Sequence, residues 1–312
     1  MTPHSADTRN LRALPLLFIT VTMWAIGPLF VKYFTSYYNV WAQNAFRYGC
    51  AAVALLAVMA VRGRLRYRLR RDQWGRLALV TVANLLMQVS FAATYYFLYP
   101  AVASLVTRVN IVFITVLSFL IFHDERDVIR SPRFLAGAAL ALAGVVIVIL
   151  GRDPELLSRL NVSERAFWIG VGLAVAQALF GATYSLTIKH AVRNVPPLVS
   201  FTHVSWMTAL GLWALLLLMG GAQDLWIQPP AGLALMALSA LMSIVIAHSC
   251  YYAALREIKV VVTASIMQLT PVLICILSAL VYGDVLTPLQ VAGGGAVVIG
   301  AWLAALAQAR NT

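Results

Sequence analysis

The chain has 312 residues, of which 62% are hydrophobic and 11% are charged. Soluble globular domains carry about 25% charged residues, so this composition excludes a water-exposed surface and indicates an integral membrane protein. The net charge of +12 does not indicate nucleic-acid binding, because most basic residues stand at the ends of apolar runs, as topology signals do. The three cysteines, Cys50, Cys250 and Cys275, lack metal-ligand spacing and are interpreted as small core residues.

Ten apolar runs follow one another, and each is long enough to cross a bilayer as a helix. They are named spans 1 to 10 and cover residues 13–34, 41–61, 76–98, 101–122, 133–151, 166–189, 197–219, 231–254, 259–281 and 288–307. Span 1 is too long for the apolar core of a cleavable signal peptide, so we predict that it is retained. The sequence therefore predicts an all-α integral membrane protein with tails at 1–12 and 308–312.

The distribution of Lys and Arg predicts the orientation of the spans. With the N-terminus in the cytoplasm, the internal loops carry most basic residues, above all the run RGRLRYRLRR at 62–71. The external loops carry Arg152, Arg159 and Arg165, all within the external linker at 152–165. We therefore predict that both termini are cytoplasmic.

The second half of the chain repeats features of the first. The segment SPRFLAGAALALAG at 131–144 matches TPLQVAGGGAVVIG at 287–300, and TVLSFLIFHDE matches CILSALVYGDV further upstream. Each half contains five spans, so the halves enter the membrane with opposite orientations. This inverted repeat predicts a binding site near the bilayer midplane, between the halves.

With these paired motifs, the chain resembles the drug/metabolite transporter superfamily, and specifically its EamA-type ten-helix members. The resemblance covers residues 13–307, with a first repeat at 13–151 and a second at 166–307. It implies a central cavity, alternating access and frequent export of amino acids or other metabolites. Among members of this fold, the chain most resembles an aromatic amino acid exporter. The resemblance implies a location in a bacterial inner membrane.

Two spans carry polar stripes that we place on the cavity wall. Arg108 lies about 12 Å into span 4, near the middle of the hydrocarbon core. The repeat pairs it with Gln268 on span 9. An intramembrane arginine indicates a site for a carboxylate or phosphate, and the alternative is an arginine bonded to helix-end carbonyls that fixes the bundle.

Arg47 and its repeat mate His203 are candidates for outer and inner gates on the substrate path. The alternatives are a snorkelling arginine and a hydrogen-bonded core histidine. Spans 1, 3 and 6 add amide and aromatic candidates for the neutral part of a substrate, with helix packing as the alternative. These candidates are Trp24, Asn84, Gln88, Tyr95 and Tyr184.

No nucleophile elbow, metal-binding motif or phosphate loop is present in the sequence, so neither catalysis nor a cofactor is predicted. The prediction is a transporter of a small anionic or zwitterionic metabolite, with the bilayer as its surroundings and no nucleic-acid partner. The alternatives are sugar-phosphate or lipid-linked cargo and a non-transporting receptor. All acids fall in loops, tails or span ends, which disfavours proton coupling and leaves His203 and His248 as weak relay candidates. A monomer and a homodimer both remain open.

Overall fold

The computed structural model describes residues 3–121, 129–159, 162–191, 195–254 and 266–309, and this part of the chain is all helical. Nine of its helices are long and apolar enough to cross a membrane. They comprise Leu14–Phe34, Val40–Val61, Arg71–Phe97, Pro100–Ile121, Pro132–Leu150, Glu164–Ile188, Pro197–Met219, Pro230–Tyr251 and Pro288–Ala307. A shorter apolar helix, Leu269–Tyr282, coincides with the second part of predicted span 9, whose beginning lies outside the described residues.

The ends of the helices differ from the predicted spans where local hydrogen bonds set them. The first helix begins at Pro3, within the predicted tail. Span 2 begins where the Asn39 side chain accepts hydrogen bonds from the backbone N–H groups of Trp41 and Ala42. Short helices at Pro154–Arg159 and Asp224–Ile227 lie between spans. Hydropathy locates a span to within a few residues, whereas capping fixes its first residue.

Spans 4 and 8 contain breaks in regular α-helix within the described residues. Span 4 consists of the α-helix Pro100–Val106, a 3-10 turn at Thr107–Val109 and the α-helix Asn110–Ile121. Span 8 consists of the α-helix Pro230–Ala240, a π-helical segment at Leu241–Ile246 and the α-helix Ala247–Ala254. Such segments within a helix are frequently found at functional sites.

Spans 5 and 10 pack against each other through small residues. A Cβ atom added to Gly144 would lie 2.6 Å from the Gly293 carbonyl oxygen, and one added to Gly137 would lie 2.7 Å from that of Gly300. The backbones are therefore in direct contact along the two spans, as small residues allow between membrane helices. Apart from Gly295, which faces open space, the glycines of the run at 293–295 pack within the bundle.

Large apolar side chains cover the outside of the bundle. Leu217, Leu218 and Leu280 are among the most exposed, and a surface of this kind suits contact with lipid. The described parts of five connections lie at one end of the bundle, namely those between spans 1 and 2, 3 and 4, 5 and 6, 7 and 8, and 9 and 10. We call this end the external end, following the Lys/Arg prediction, which stays a prediction.

Candidate functional site

Arg108 lies on the 3-10 turn of span 4, which packs against spans 5 and 6. Its Nε atom is buried without a hydrogen-bond partner, and no ion pair or hydrogen bond of its guanidinium occurs among the described residues. A guanidinium carries five N–H donors and a fixed charge. Leaving a buried donor of this group without a partner is costly. Arg108 therefore presents an uncompensated positive charge inside the bundle.

Gln268 stands at the first residue before the helix Leu269–Tyr282, and its Oε1 atom is also buried and without a partner. On the same helix, Cys275 is an electrostatic neighbour of Arg108. Span 9 therefore comes close to the Arg108 turn, but no hydrogen bond joins Arg108 to Gln268 among the described residues. The prediction that the two side chains face each other across a cavity stays a prediction.

Further polar atoms within the bundle are buried and unpaired. They include Gln43 Oε1, Asn44 Oδ1, Gln177 Oε1, Ser205 Oγ and Thr270 Oγ1. Most of these atoms are acceptors, whereas the unpaired group of Arg108 is a donor. Buried polar groups in proteins are normally hydrogen-bonded, so each such atom calls for an explanation. Each of these atoms can therefore still form a hydrogen bond.

Arg47 is only 3% exposed and points into the bundle rather than toward its surface. Its Nε donates to Ser239 Oγ at 3.2 Å and its Nη2 donates to Ser243 Oγ at 3.0 Å, both on span 8. Neither acceptor is charged. Arg47 thus differs from a snorkelling arginine, and like Arg108 it has no buried carboxylate beside it among the described residues.

The π-helical segment of span 8 brings Ser243 to this position. A Cβ atom on Gly27 would lie 3.0 Å from the Ser243 Cβ, so spans 1 and 8 touch where Arg47 binds. Arg47 lies seven residues from the start of its helix and Arg108 eight residues from the start of span 4. At about 1.5 Å per residue, both lie at a similar depth from the external end.

Trp24 belongs to an aromatic cluster between spans 1, 7 and 8. Its ring centroid lies 5.0 Å from that of His248 and 5.1 Å from that of Tyr251. Phe201 also stacks on the His248 ring at 4.8 Å. The His248 Nδ1 atom lies 3.0 Å from the Ile244 carbonyl oxygen, an acceptor for the Nδ1–H tautomer. Sequence spacing does not place Phe201 here, because Phe201 and His248 are 47 residues apart.

The polar face of span 3 makes mostly helix-to-helix contacts. Asn84 donates to Thr208 Oγ1 at 2.9 Å on span 7, and the backbone carbonyl oxygen of Gln88, not its side chain, accepts from Asn44 Nδ2. Tyr95 packs edge-on against Phe91 at 5.1 Å, and its phenol is an electrostatic neighbour of Arg47. Tyr95 is therefore a member of this face that lies near an arginine.

His203 and Tyr184 lie away from Arg47 and the Trp24 cluster. The His203 ring lies between Trp74 and Trp206, at 5.5 and 6.2 Å, and its Nδ1 atom is 2.8 Å from the Val199 carbonyl oxygen. Tyr184 packs against a small core of Leu77, Val80 and Val204. These contacts are the ones that the packing alternative predicted, and they leave the inner-gate prediction for His203 untested.

Comparison with known proteins identifies the family of the chain. The model of the EamA-like transporter family matches residues 11–150 and 168–306. An uncharacterized transporter of Bacillus subtilis (strain 168), YyaM, is 23% identical over 270 residues, which cover 86% of this chain and 85% of that protein. A protein of known crystal structure shares the fold, with a TM-score of 0.66, 20% identity and coverage of 96% of this chain and 98% of the other. The resemblance inferred from the paired motifs is confirmed, and the chain belongs to the EamA-like transporter family as a multi-pass membrane transporter.

Proposed function

We propose that this transporter moves a small anionic or zwitterionic metabolite, such as an amino acid or related carboxylate, and that Arg108 binds its anionic group. The observation that carries the proposal is the Nε atom of Arg108, which is buried and has no hydrogen-bond partner among the described residues. A bidentate carboxylate would satisfy two of its donors and neutralise its charge. An anion is therefore the solute that this site stabilises most, and an organic cation is the one it repels.

The unpaired amide oxygens near the bundle interior complement this charge. An ammonium or hydroxyl group of the same solute can donate to Gln268 or Gln177, whose Oε1 atoms lack partners. Arg47 lies at a similar depth, and its Nη1 group, unbonded among the described residues, adds a second donor for an oxygen of the solute. The two family segments would rock about this site and expose it to either side in turn, with export as the net direction.

The test is ligand-dependent thermal stabilisation of the purified protein, followed by uptake into proteoliposomes. Amino acids, dicarboxylates, sugar phosphates and organic cations are each added to wild type and to Arg108→Gln. A ligand that binds only the folded state raises the free energy of unfolding by about 2.7 kcal/mol at a hundred times its Kd. We expect amino acids or carboxylates to stabilise wild type and to lose this effect in Arg108→Gln.

Two variants separate binding from general damage. Arg133→Gln removes an arginine that is exposed at the start of span 5, and it is expected to respond to ligand as wild type does. Arg108→Lys keeps the charge but loses the planar pair of donors, and it is expected to bind more weakly without losing selectivity for anions. Stabilisation by cations alone, or an undiminished response in Arg108→Gln, would exclude Arg108 as the binding group. Stabilisation by sugar phosphates alone would replace the carboxylate class with the phosphate class.

A further inference from the structure

Asp284 lies in the connection between spans 9 and 10 and is 3% exposed. Its Oδ2 atom accepts a hydrogen bond from the Ala101 backbone N–H at 2.9 Å and another from Ser278 Oγ at 2.8 Å. Ala101 is in the first turn of span 4, and Ser278 is on span 9. A single carboxylate oxygen therefore joins the second family segment to the first at the external end.

The charge of Asp284 is poorly compensated by the groups around it. Lys32 on span 1 attracts the Asp284 carboxylate electrostatically. The Lys32 Nζ atom, however, donates to the Tyr95 backbone carbonyl oxygen at 2.9 Å and lies 4.0 Å from the centroid of the Tyr99 ring. The described residues contain no Lys32–Asp284 pair within 4.0 Å. Removing a carboxylate from water disfavours its ionised form.

Cys275 on span 9 is a titratable neighbour of Asp284, and the other charged groups that the described residues place here come from the linker after span 5. Arg152 and Asp153 line the same small cavity as Asp284 and Tyr99. Arg152 pairs with Glu164, and the described residues contain no ion pair between Arg152 and Asp284. Burial raises the pKa of Asp284 above its ordinary value, although Ser278, the Ala101 N–H and Lys32 each act in the opposite direction.

The neighbours of Asp284 tie the same spans together. The Tyr282 hydroxyl donates to the Leu29 carbonyl oxygen at 2.6 Å, and the Tyr282 ring packs edge-on against Tyr99 at 5.8 Å. The external latch is the set of contacts made by Lys32, Tyr99, Ser278, Tyr282 and Asp284. It joins spans 1 and 4 to span 9, so separating the two family segments at this end requires these contacts to break.

We propose that Asp284 is a proton-binding site and that a bound proton favours the closed state of the external latch. The proposal rests on the alternating access proposed above. Once the latch opens, Asp284 meets water and its pKa returns toward about 3.9. The closed state thus binds the proton more tightly, and by linkage a fall in external pH increases the closed population. Histidine is then not required for a response to pH.

The experiment measures the distance across the external end by pulsed electron paramagnetic resonance. Spin labels are attached at Tyr37→Cys and Val285→Cys, whose native side chains are 45% and 59% exposed. The three native cysteines are replaced by alanine, and the full chain is reconstituted in lipid nanodiscs without substrate. The pH is varied from about 4 to about 8, a range that begins near the ordinary pKa of a carboxyl.

We expect the short-distance population to grow as the pH falls in the wild-type background. Asp284→Asn is expected to lose this pH dependence and to stay mainly closed, because the amide carries no charge to bury. Ser278→Ala removes a donor that stabilises the ionised form, so the midpoint of the transition is expected to move to higher pH. If Asp284 were only a structural cap of span 4 and bound no proton in this pH range, Ser278→Ala would not move this midpoint.

A pH-independent distance distribution in the wild-type background would overturn the proposal. So would pH dependence that persists unchanged in Asp284→Asn, or an unmoved midpoint in Ser278→Ala. These measurements contain no substrate and leave Arg108 intact. Their failure is therefore distinguishable from a failure of the Arg108 proposal, which is read from ligand-dependent stabilisation.

Discussion

The close contact of spans 5 and 10 predicts that Gly300→Ala destabilises the protein. A Cβ atom on Gly300 would lie 2.4 Å from the Ala141 backbone nitrogen and 2.5 Å from the Gly137 carbonyl oxygen. Both are backbone atoms of a regular helix, so neither can move aside as the end of a flexible side chain can. The added methyl group must therefore push the two spans apart.

The size of the effect follows from this distance. Ordinary van der Waals contact begins at 3.4 Å, so the spans must separate by about 1 Å at Gly300. Overpacking of this kind costs about 1–3 kcal/mol. One kcal/mol lowers the Tm of a large domain by about 2–4 °C, and we therefore expect Gly300→Ala to unfold several degrees below wild type.

The assay is thermal unfolding in detergent, followed by intrinsic tryptophan fluorescence, with two matched variants on the same span. Gly295→Ala introduces its methyl group where nothing lies within 4 Å, and alanine is the better helix former, so its Tm should equal or exceed that of wild type. Gly294→Ala would meet the Leu105 side chain at 3.2 Å and should fall between the two. Equal Tm values for Gly300→Ala and Gly295→Ala would refute the packing argument.

Two further changes test polar contacts inside the bundle. Asn84→Ala and Thr208→Val, measured singly and together, should show a coupling of about 0.6 kcal/mol, the average for hydrogen bonds between membrane helices; additive effects would mean that the bond contributes nothing. Arg47→Lys should lower the free energy of unfolding by about 1–3 kcal/mol, because one ammonium does not reproduce the separate bonds to Ser239 and Ser243. An unchanged Tm for that variant would show that the two bonds do not stabilise the bundle.

Hydropathy alone was enough to predict the membrane class and nearly all of the helices. Nine of the predicted spans correspond to described helices of sufficient length, and span 9 is described from Leu269 onward within its apolar helix. The paired motifs also predicted the family, which the comparison confirms. These features are encoded locally, because the length of an apolar run and the spacing of small residues do not depend on which helices become neighbours.

Sequence reasoning singled out polar groups of unusual cost and missed ordinary ones, and the roles it assigned to the candidate site residues stay predictions. Arg108 and Arg47 stand out in any hydrophobic run, since a charge inside the membrane is rare. Ser243 and Phe201 do not stand out, because serine and phenylalanine are common in membrane helices. Asp284 was grouped with the loop acids, although it stands in the repeated motif that ends span 9. Nothing in its sequence position indicates that it is buried against span 4.

The sequence by itself determined that the chain is a helical membrane protein of two related segments with an arginine in span 4. Only the tertiary structure decided that Arg47 is bonded to serines of span 8, whereas Arg108 is unpaired among the described residues. It also decided that Asp284 caps span 4. The physical reason is that hydropathy is a property of each residue alone, whereas burial, pairing and the free energy of a charge depend on neighbours that are distant in sequence.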